Sequence, residues 1–136
     1  MNAVIPFYWF DTTGDPDAVE KIRERQSDIS RGRKLRCRSC EYIITDENQR
    51  ISIEDSHTHN RLNPSGVEYQ FQCFSNAPGC SAFGQATYEF TWFPGYQWQI
   101  AVCSACGEHL GWFFRGQSSF YGLISSRLIL DQSDTS

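Results

Sequence analysis

The 136-residue sequence predicts one mainly β domain with a short helix before it. Aromatic residues make up 15% of the chain, and rings together with β-branched residues favour sheets. Short runs of such residues alternate with turn signals such as NPSG, NAPG and FPGY. Two Cys-x-x-C pairs stand far apart, where one metal ion can tie distant parts of the chain together.

The helix is predicted over residues 16–30, where the apolar residues repeat at helical spacing. Val19, Ile22 and Ile29 form one stripe, and Pro16 suits the first helical position. Basic residues are frequent here, but acidic residues are interleaved with them and the net charge of the chain is -4. We therefore expect a solvated helix face rather than a nucleic-acid site.

Seven short runs have the period of two that is typical of strands. They read YIIT, ISIE, VEYQFQC, TYEFTWF, WQIAV, HLGWFF and FYGLI. In HLGWFF we expect Leu110 to lie on the same face as Trp112 and Phe114. In WQIAV we expect Trp98 and Ile100 to share a face for the same reason.

We divide the chain into an N-terminal segment (1–34), one β domain (35–130) and a polar tail (131–136). The apolar start lacks a basic leader and a cleavage signal, and no run is long enough for a membrane helix. We therefore expect a cytoplasmic protein, or a nuclear one if the source is eukaryotic, with neither a membrane nor a nucleic acid as partner. Its thiols are then expected to be reduced.

The two Cys-x-x-C pairs predict one structural zinc ion per chain. The four ligands are Cys37, Cys40, Cys103 and Cys106. A two-residue spacer lets both sulfurs of a tight turn reach one ion, and two such turns complete a tetrahedral set with no position left for water. A redox-active dithiol or a disulfide is the alternative for these residues.

The remaining cysteines and the histidines are not expected to bind metal. Cys73 and Cys80 are interpreted as small buried hydrophobic residues. His57 and His59 stand in a polar loop without further ligands of matching spacing. His109 directly follows the second cysteine pair and is interpreted as a hydrogen-bonded packing residue.

Three of the four tryptophans fall within residues 91–112. Trp92 and Trp98 flank a Pro-Gly turn, and the second cysteine pair returns the next strand, with Trp112, beside them. Indoles at a loop tip lie at the rim of a sheet, so we expect a box with Phe114 beneath it, although simple core packing is the alternative. Such a box suits a flat ring, an apolar side chain or a quaternary ammonium, for which Glu89 is the obvious carboxylate nearby.

These residues resemble a known family. LRCRSC, NPSGVEY, EFTWFPGYQWQIAVCSAC and HLGWFFRGQSSFYGLI together are similar to the CULT domain, the thalidomide-binding domain of cereblon and its single-domain bacterial relatives. The similarity extends from about Leu35 to Leu130, and its most specific part is the ordered set W-F-x-G-Y-x-W, C-x-x-C and H-x-G-W. The resemblance implies a β-tent, in which two antiparallel sheets are pinned at their meeting edge by the four-cysteine zinc.

The resemblance also implies a binding module, not an enzyme, that holds a cyclic imide such as a glutarimide or succinimide. Thalidomide-type ligands, C-terminal cyclic imides of aged proteins and uridine-like rings all carry the polar edge of an imide, an N–H donor between two carbonyl acceptors. The implied ligand-binding residues are Asn63, Tyr69, Phe90, Trp92, Trp98, Trp112 and Phe114.

The roles within that set follow from the resemblance as well. The three tryptophans would wall the pocket and Phe114 would close its base, while the main chain at Phe90 and Trp92 would hydrogen-bond the imide. Asn63 would lie on the loop that covers the mouth, and Tyr69 would stand on the lid side.

Two positions depart from the animal members of the family. Phe90 stands where they have a histidine, so only the main-chain contact carries over, and Ser65 replaces a histidine next to the mouth. No Lon-like or adaptor-binding segment is recognisable, so recruitment of a ubiquitin ligase is not implied.

Three other functions fit parts of the sequence. B-type methionine sulfoxide reductases share the tent and a CGxHLGH motif close to CGEHLGW, but the position of their nucleophilic cysteine corresponds to Gly122. A methyl-lysine or choline reader would use the indoles for cation–π attraction. A zinc-ribbon nucleic-acid module would use the basic residues between 21 and 38.

Overall fold

The computed structural model describes residues 32–132, so the helix predicted over 16–30 and the end of the polar tail lie outside it. Within this range the chain forms nine strands and two short 3-10 turns, Glu47–Gln49 and Ser125–Arg127. The strands are β1 Lys34–Cys37, β2 Ile43–Asp46, β3 Thr58–Leu62, β4 Glu68–Phe74, β5 Cys80–Thr87, β6 Gln97–Cys103, β7 His109–Arg115, β8 Ser119–Ile124 and β9 Leu128–Leu130. No helix among the described residues is long and apolar enough to cross a membrane.

The strands of the described chain form two sheets. The small sheet has the order β2-β1-β9, the large sheet has the order β3-β4-β8-β7-β6-β5, and all neighbouring strands are antiparallel. The large sheet ends in two edge strands, β3 and β5. The predicted mainly β fold with two antiparallel sheets is therefore confirmed.

Two of the predicted strands are wrong. ISIE contains only an isolated bridge between Ile53 and Ser56. In TYEFTWF only Thr87 belongs to a strand, because Phe90 has a positive φ of 59° and so cannot continue an extended chain. The alternating aromatic residues of this run belong to turns at the edge of the sheet.

Strands β1, β3, β5 and β9 are not among the predicted runs, and β5 shows how an edge strand is missed. Half of the residues of β5, with the sequence CSAFGQAT, are exposed at the sheet edge, and the residues of this strand are mainly small or polar. An edge strand of this kind has no buried face, so its sequence shows no alternation of apolar and polar residues.

The large sheet carries an apolar cluster on each face. The cluster on the side of the small sheet includes Leu35 and Ile44 from that sheet, together with Phe74, Leu110 and Leu123. The cluster on the other face is almost entirely aromatic. Its buried members are Phe71, Cys73, Phe93, Trp112, Phe114, Phe120 and Ile124.

A β-bulge at the start of β7 decides which residues reach which face. Val102 pairs with His109 and Ala101 pairs with Gly111, so Leu110 is an extra residue in β7. Leu110 packs in the cluster beside the small sheet, and the prediction that it shares a face with Trp112 is wrong. Period-two alternation fails here because the extra residue reverses the facing of the strand.

Gly122 lies in β8 directly opposite Trp112. A Cβ atom at this position would lie 2.8 Å from Cδ2 of Phe71 and 3.1 Å from Cε2 of Phe114. The glycine therefore allows two rings to meet over the strand. A cysteine nucleophile of the reductase type has no room at this position.

We expect Gly122→Ala to lower the free energy of unfolding by about 1–3 kcal/mol, because the two rings must shift to admit the methyl group. Gly111→Ala should lower the free energy of unfolding by more. The added Cβ atom would meet the carbonyl oxygen of Gly122, which is held in place by the strand pairing. Urea denaturation measures both values. A Gly122→Ala variant as stable as the parent would contradict this account of the packing.

Candidate functional site

The four predicted zinc ligands come together where the two sheets meet. Cys37 ends β1 in the small sheet, and Cys103 ends β6 in the large sheet. Sγ of Cys37 lies 3.6 Å from Sγ of Cys106, Sγ of Cys40 lies 3.6 Å from Sγ of Cys103, and all four sulfurs lie within 4.8 Å of one another. Tetrahedral zinc with Zn–S bonds of about 2.3 Å spaces its sulfurs roughly 3.8 Å apart. The cluster is thus positioned for a single zinc ion.

The two cysteine pairs have the same local backbone geometry. The N–H of Glu41 donates to the carbonyl of Cys37 at 2.7 Å, and the N–H of Gly107 donates to the carbonyl of Cys103 at 2.8 Å. Both donors have a positive φ, 67° at Glu41 and 81° at Gly107. Each tight turn directs its two sulfurs to the same point.

The protonation of these thiols also fits a metal site. Burial raises the pKa of Cys106 to about 11 and raises that of Cys103 further. Without a bound cation both thiols would therefore be protonated at neutral pH. A dication supplies the charge that makes four adjacent thiolates stable, and its binding energy becomes part of the folding energy.

The other cysteines and His59, which lies in β3, have packing roles. Cys73 is fully buried, and burial raises the pKa of its thiol to about 12. Cys80 packs against the cluster beside the small sheet. His59 donates from Nε2 to the carbonyl of Ser56 at 3.0 Å, and its ring stacks on Phe71 at a centroid distance of 5.5 Å. Among residues 32–132 the four-cysteine group is the one cluster of potential metal ligands.

A pocket of about 240 Å³ lies on the aromatic face of the large sheet, away from the small sheet. Its lining includes all seven residues predicted for ligand binding and three that were not. The lining residues are Asn63, Pro64, Tyr69, Phe90, Trp92, Trp98, Ile100, His109, Trp112 and Phe114. The structure thus brings the predicted residues together, while their role in binding stays a prediction.

The floor of the pocket is a pair of cross-strand contacts. Trp98 of β6 is paired with Phe114 of β7, and Ile100 is paired with Trp112. Directly paired residues of antiparallel strands point to the same face, so these four side chains form one apolar patch. Ile100 could have been assigned to the site from its alternation with Trp98.

The walls are rings that meet at steep angles. The centroids of Trp92 and Trp112 are 4.8 Å apart with an interplanar angle of 79°, and those of Tyr69 and Trp112 are 5.2 Å apart at 74°. Phe71 stacks behind Trp92 at 5.4 Å and 13°. Edge-to-face packing of this kind fixes the relative orientation of the rings.

The indole N–H groups of two walls are already used. Trp92 donates from Nε1 to the carbonyl of Leu62 at 2.9 Å, and Trp98 donates from Nε1 to the carbonyl of Glu89 at 2.7 Å. These bonds anchor each indole to a loop beside the mouth. The wall rings therefore contribute apolar surface rather than donors.

The β3–β4 hairpin turn forms one side of the mouth. Val67 donates its N–H to Oδ1 of Asn63 at 2.9 Å, and Asn63 donates its own N–H to the carbonyl of Val67 at 2.9 Å. These two hydrogen bonds hold Asn63 and Pro64 against the pocket.

Phe90 and Trp92 form the opposite side. Phe90 is 65% exposed and has a left-handed backbone conformation, which is strained for a residue other than glycine. Within the described part of the chain, the main-chain N–H and C=O groups of Phe90 and Trp92 have no hydrogen-bond partner. Unpaired main-chain groups beside a pocket are free to bind a ligand.

His109 is a lining residue that the sequence argument assigned only to packing. Its Nε2 donates to the carbonyl of Gly111 at 3.0 Å, so Nε2 carries the proton of the neutral ring, and the ring meets Trp112 edge-on at 5.4 Å. Burial lowers the pKa of His109, and the positive charge of Arg127 lowers it further. The imidazole is neutral at neutral pH, and the pocket lining carries no charged side chain.

We expect Cys106→Ser to remove zinc and to unfold the domain, because a lost ligand forfeits binding energy that stabilises the fold. Cys80→Ala is the matched control, since Cys80 is partly buried and pairs with Cys103 in the sheet but is not one of the four grouped sulfurs. A colorimetric zinc-release assay and thermal denaturation give the two measurements. A Cys106→Ser variant that is folded and zinc-free would show that the metal is dispensable for the fold.

Comparison with known proteins gives one consistent relationship. The chain is 29% identical to Protein cereblon of Gallus gallus and 30% identical to that of Xenopus tropicalis, in each case over 120 residues and 82% of this chain. It is 40% identical to Protein cereblon of Drosophila willistoni over 62 residues, 41% of this chain. No family model matches the chain.

The aligned region spans only 27% of the length of the bird and amphibian proteins and 10% of the insect one. The relationship therefore concerns one domain of those proteins. Two antiparallel sheets, a four-cysteine cluster at their junction and an aromatic pocket agree with it, and together they fit a domain that binds a ligand. The described domain is accordingly a cereblon-like CULT domain.

Proposed function

We propose that this chain is a binding module that holds a cyclic imide ring between Trp92, Trp98 and Trp112 and does not convert it. The observation that carries the proposal is an uncharged aromatic pocket with unpaired main-chain groups at Phe90 and Trp92 beside it.

The chemistry of an imide matches these features. One edge of the ring has an N–H donor between two carbonyl acceptors, and the rest consists of thin apolar methylene groups. The main chain at Phe90 and Trp92 offers both acceptors and donors for the polar edge. The indoles offer apolar surface for the methylenes, since the N–H groups of Trp92 and Trp98 are bonded to loop carbonyls.

The expected affinity is moderate. Covering about 120 Å² of a glutarimide at about 25 cal/mol per Å² contributes about 3 kcal/mol. Three hydrogen bonds at about 1 kcal/mol each add a similar amount. The sum corresponds to a dissociation constant on the order of tens of micromolar.

The absence of charge in the pocket lining separates this function from its rivals. A quaternary ammonium ligand benefits from a nearby carboxylate, but the side chain of Glu89 does not line the pocket. A linear C-terminus would bring a carboxylate to a site whose lining offers no cation. A cyclic imide is neutral and meets neither difficulty.

The size of the pocket narrows the class of ligand. About 240 Å³ is less than the roughly 300–1,000 Å³ usual for drug-sized ligands, so the ring alone fits and larger substituents must extend outwards. Thalidomide-type ligands, cyclic imides at the C-termini of aged proteins and uridine-like rings satisfy this condition. Among these we favour the C-terminal imides, because the small pocket would hold the ring while the attached protein chain extends outwards.

Binding without turnover follows from the residues present. The lining contains no serine, threonine, cysteine or carboxylate that could act as a nucleophile, and burial lowers the pKa of its one histidine, His109. A reducing compartment such as the cytoplasm keeps the four thiolates available for zinc.

We expect glutarimide to quench or shift the tryptophan fluorescence of the parent protein with a midpoint in the tens of micromolar. Trp98→Ala should weaken this binding at least tenfold, because one wall of the pocket is lost. Phe113→Ala is the matched control, since Phe113 precedes Phe114 in β7, packs on Tyr121 and does not line the pocket.

Uridine and tetramethylammonium are titrated in parallel with glutarimide. We expect uridine to bind more weakly, because its ribose must remain outside, and tetramethylammonium not to bind. If tetramethylammonium saturates the signal and glutarimide does not, the site is a cation reader and the proposal fails.

A further inference from the structure

Six large hydrophobic residues are exposed in the described chain, and five of them surround the mouth of the pocket. We call these five the collar. Its members are Leu62, Val67, Phe83, Tyr88 and Phe90, whereas Ile129 lies apart on β9 of the small sheet.

Leu62 and Val67 belong to the hairpin turn on one side of the mouth. They flank Asn63 and Pro64, which line the pocket, and are 62% and 48% exposed. The carbonyl of Leu62 accepts the indole N–H of Trp92, so this part of the collar is anchored directly to a pocket wall.

Tyr88 and Phe90 stand on the other side of the mouth. They lie in a turn closed by the N–H of Thr91, which donates to the carbonyl of Tyr88 at 3.1 Å. Tyr88 is 60% exposed, and Phe90 itself lines the pocket.

Phe83 extends the floor of the pocket outwards. It is paired in β5 with Ile100 of β6, which in turn is paired with Trp112. Paired residues share a face, so Phe83 lies on the same side of the sheet as the pocket floor. It is 49% exposed and continues the apolar surface beyond the edge of the pocket.

A group of exposed apolar side chains around one mouth differs from single hydrophobic residues scattered on a surface, which need no explanation. A chain attached to a ring in this pocket must cross the collar as it leaves. Glu68 and Glu89 are exposed next to collar residues, one on each side of the mouth. Their charges disfavour an acidic chain and leave neutral or basic ones acceptable.

We propose that the collar binds the residue that precedes a C-terminal cyclic imide, so that the preferred ligand is a non-acidic peptide with a large apolar residue immediately before the ring. This inference rests on the proposed function, since it assumes that the ring occupies the pocket.

The test compares free glutarimide with three acetylated peptides ending in aminoglutarimide, in which the preceding residue is phenylalanine, serine or aspartate. Tryptophan fluorescence of the full chain reports binding of each probe. We expect the phenylalanine peptide to bind about tenfold more tightly than the serine peptide, because the collar covers its side chain. The aspartate peptide should bind most weakly, and its deficit should shrink as salt is added.

Leu62→Ser and Val67→Ser test the collar itself, because neither side chain lines the pocket. Each variant should reduce the ratio of the affinities for the phenylalanine and serine peptides severalfold. The affinity for glutarimide should remain unchanged. Ile129→Ser is the matched control, an exposed apolar residue outside the collar, and should change neither value.

The outcomes separate the two proposals. If glutarimide binds but the three peptides bind equally well, the collar does not recognise the preceding residue and this inference is overturned. If glutarimide itself does not bind, the proposed function fails first. If size-exclusion chromatography shows a dimer that Leu62→Ser dissociates, the collar is an interface between copies of the chain, which also overturns the inference.

Discussion

The junction of the two sheets depends on four sulfur atoms that converge on one point. The small sheet has strands of only three or four residues, and so few residues bury too little apolar surface to fix its position alone. The zinc cluster ties the end of β1 to the turn between β6 and β7. Arg127 reinforces the same junction, because it donates to the carbonyl of His109 at 2.7 Å while its own carbonyl accepts the N–H of Arg38 at 2.9 Å.

The metal cluster also determines where the pocket lies. Strand β7 begins three residues after Cys106 and carries His109, Trp112 and Phe114 into the lining. The bulge at Leu110 then determines which side chains of this strand face the small sheet and which face the pocket. Leu110 fills the core between the sheets, whereas Trp112 and Phe114 of the same strand belong to the aromatic cluster. One strand thus connects the metal cluster to the floor of the pocket.

The sequence predicted the parts of this structure that depend on residue type and spacing. The Cys-x-x-C pairs indicated the zinc cluster because thiolates at that spacing have few other uses, and the resemblance to the CULT domain named seven of the ten residues that line the pocket. The sequence did not reveal the facing of Leu110 and His109, because an extra residue in one strand becomes visible only through its pairing partners. Phe90 was misplaced in a strand because its alternation with Tyr88 and Trp92 is that of a strand, whereas its φ of 59° is that of a turn.

A site without charge selects its ligands by exclusion as much as by attraction. A carboxylate or an ammonium group that entered this pocket would lose its hydration and gain no partner of opposite charge from the lining, a penalty of several kcal/mol. Cyclisation of a C-terminal residue to an imide removes the carboxylate and leaves a neutral edge that main-chain groups can match. On the proposed function, one chemical change at a chain end thus converts a group that the pocket rejects into one that it accepts. The discrimination then arises from desolvation, and the pocket needs no residue dedicated to detecting the linear form.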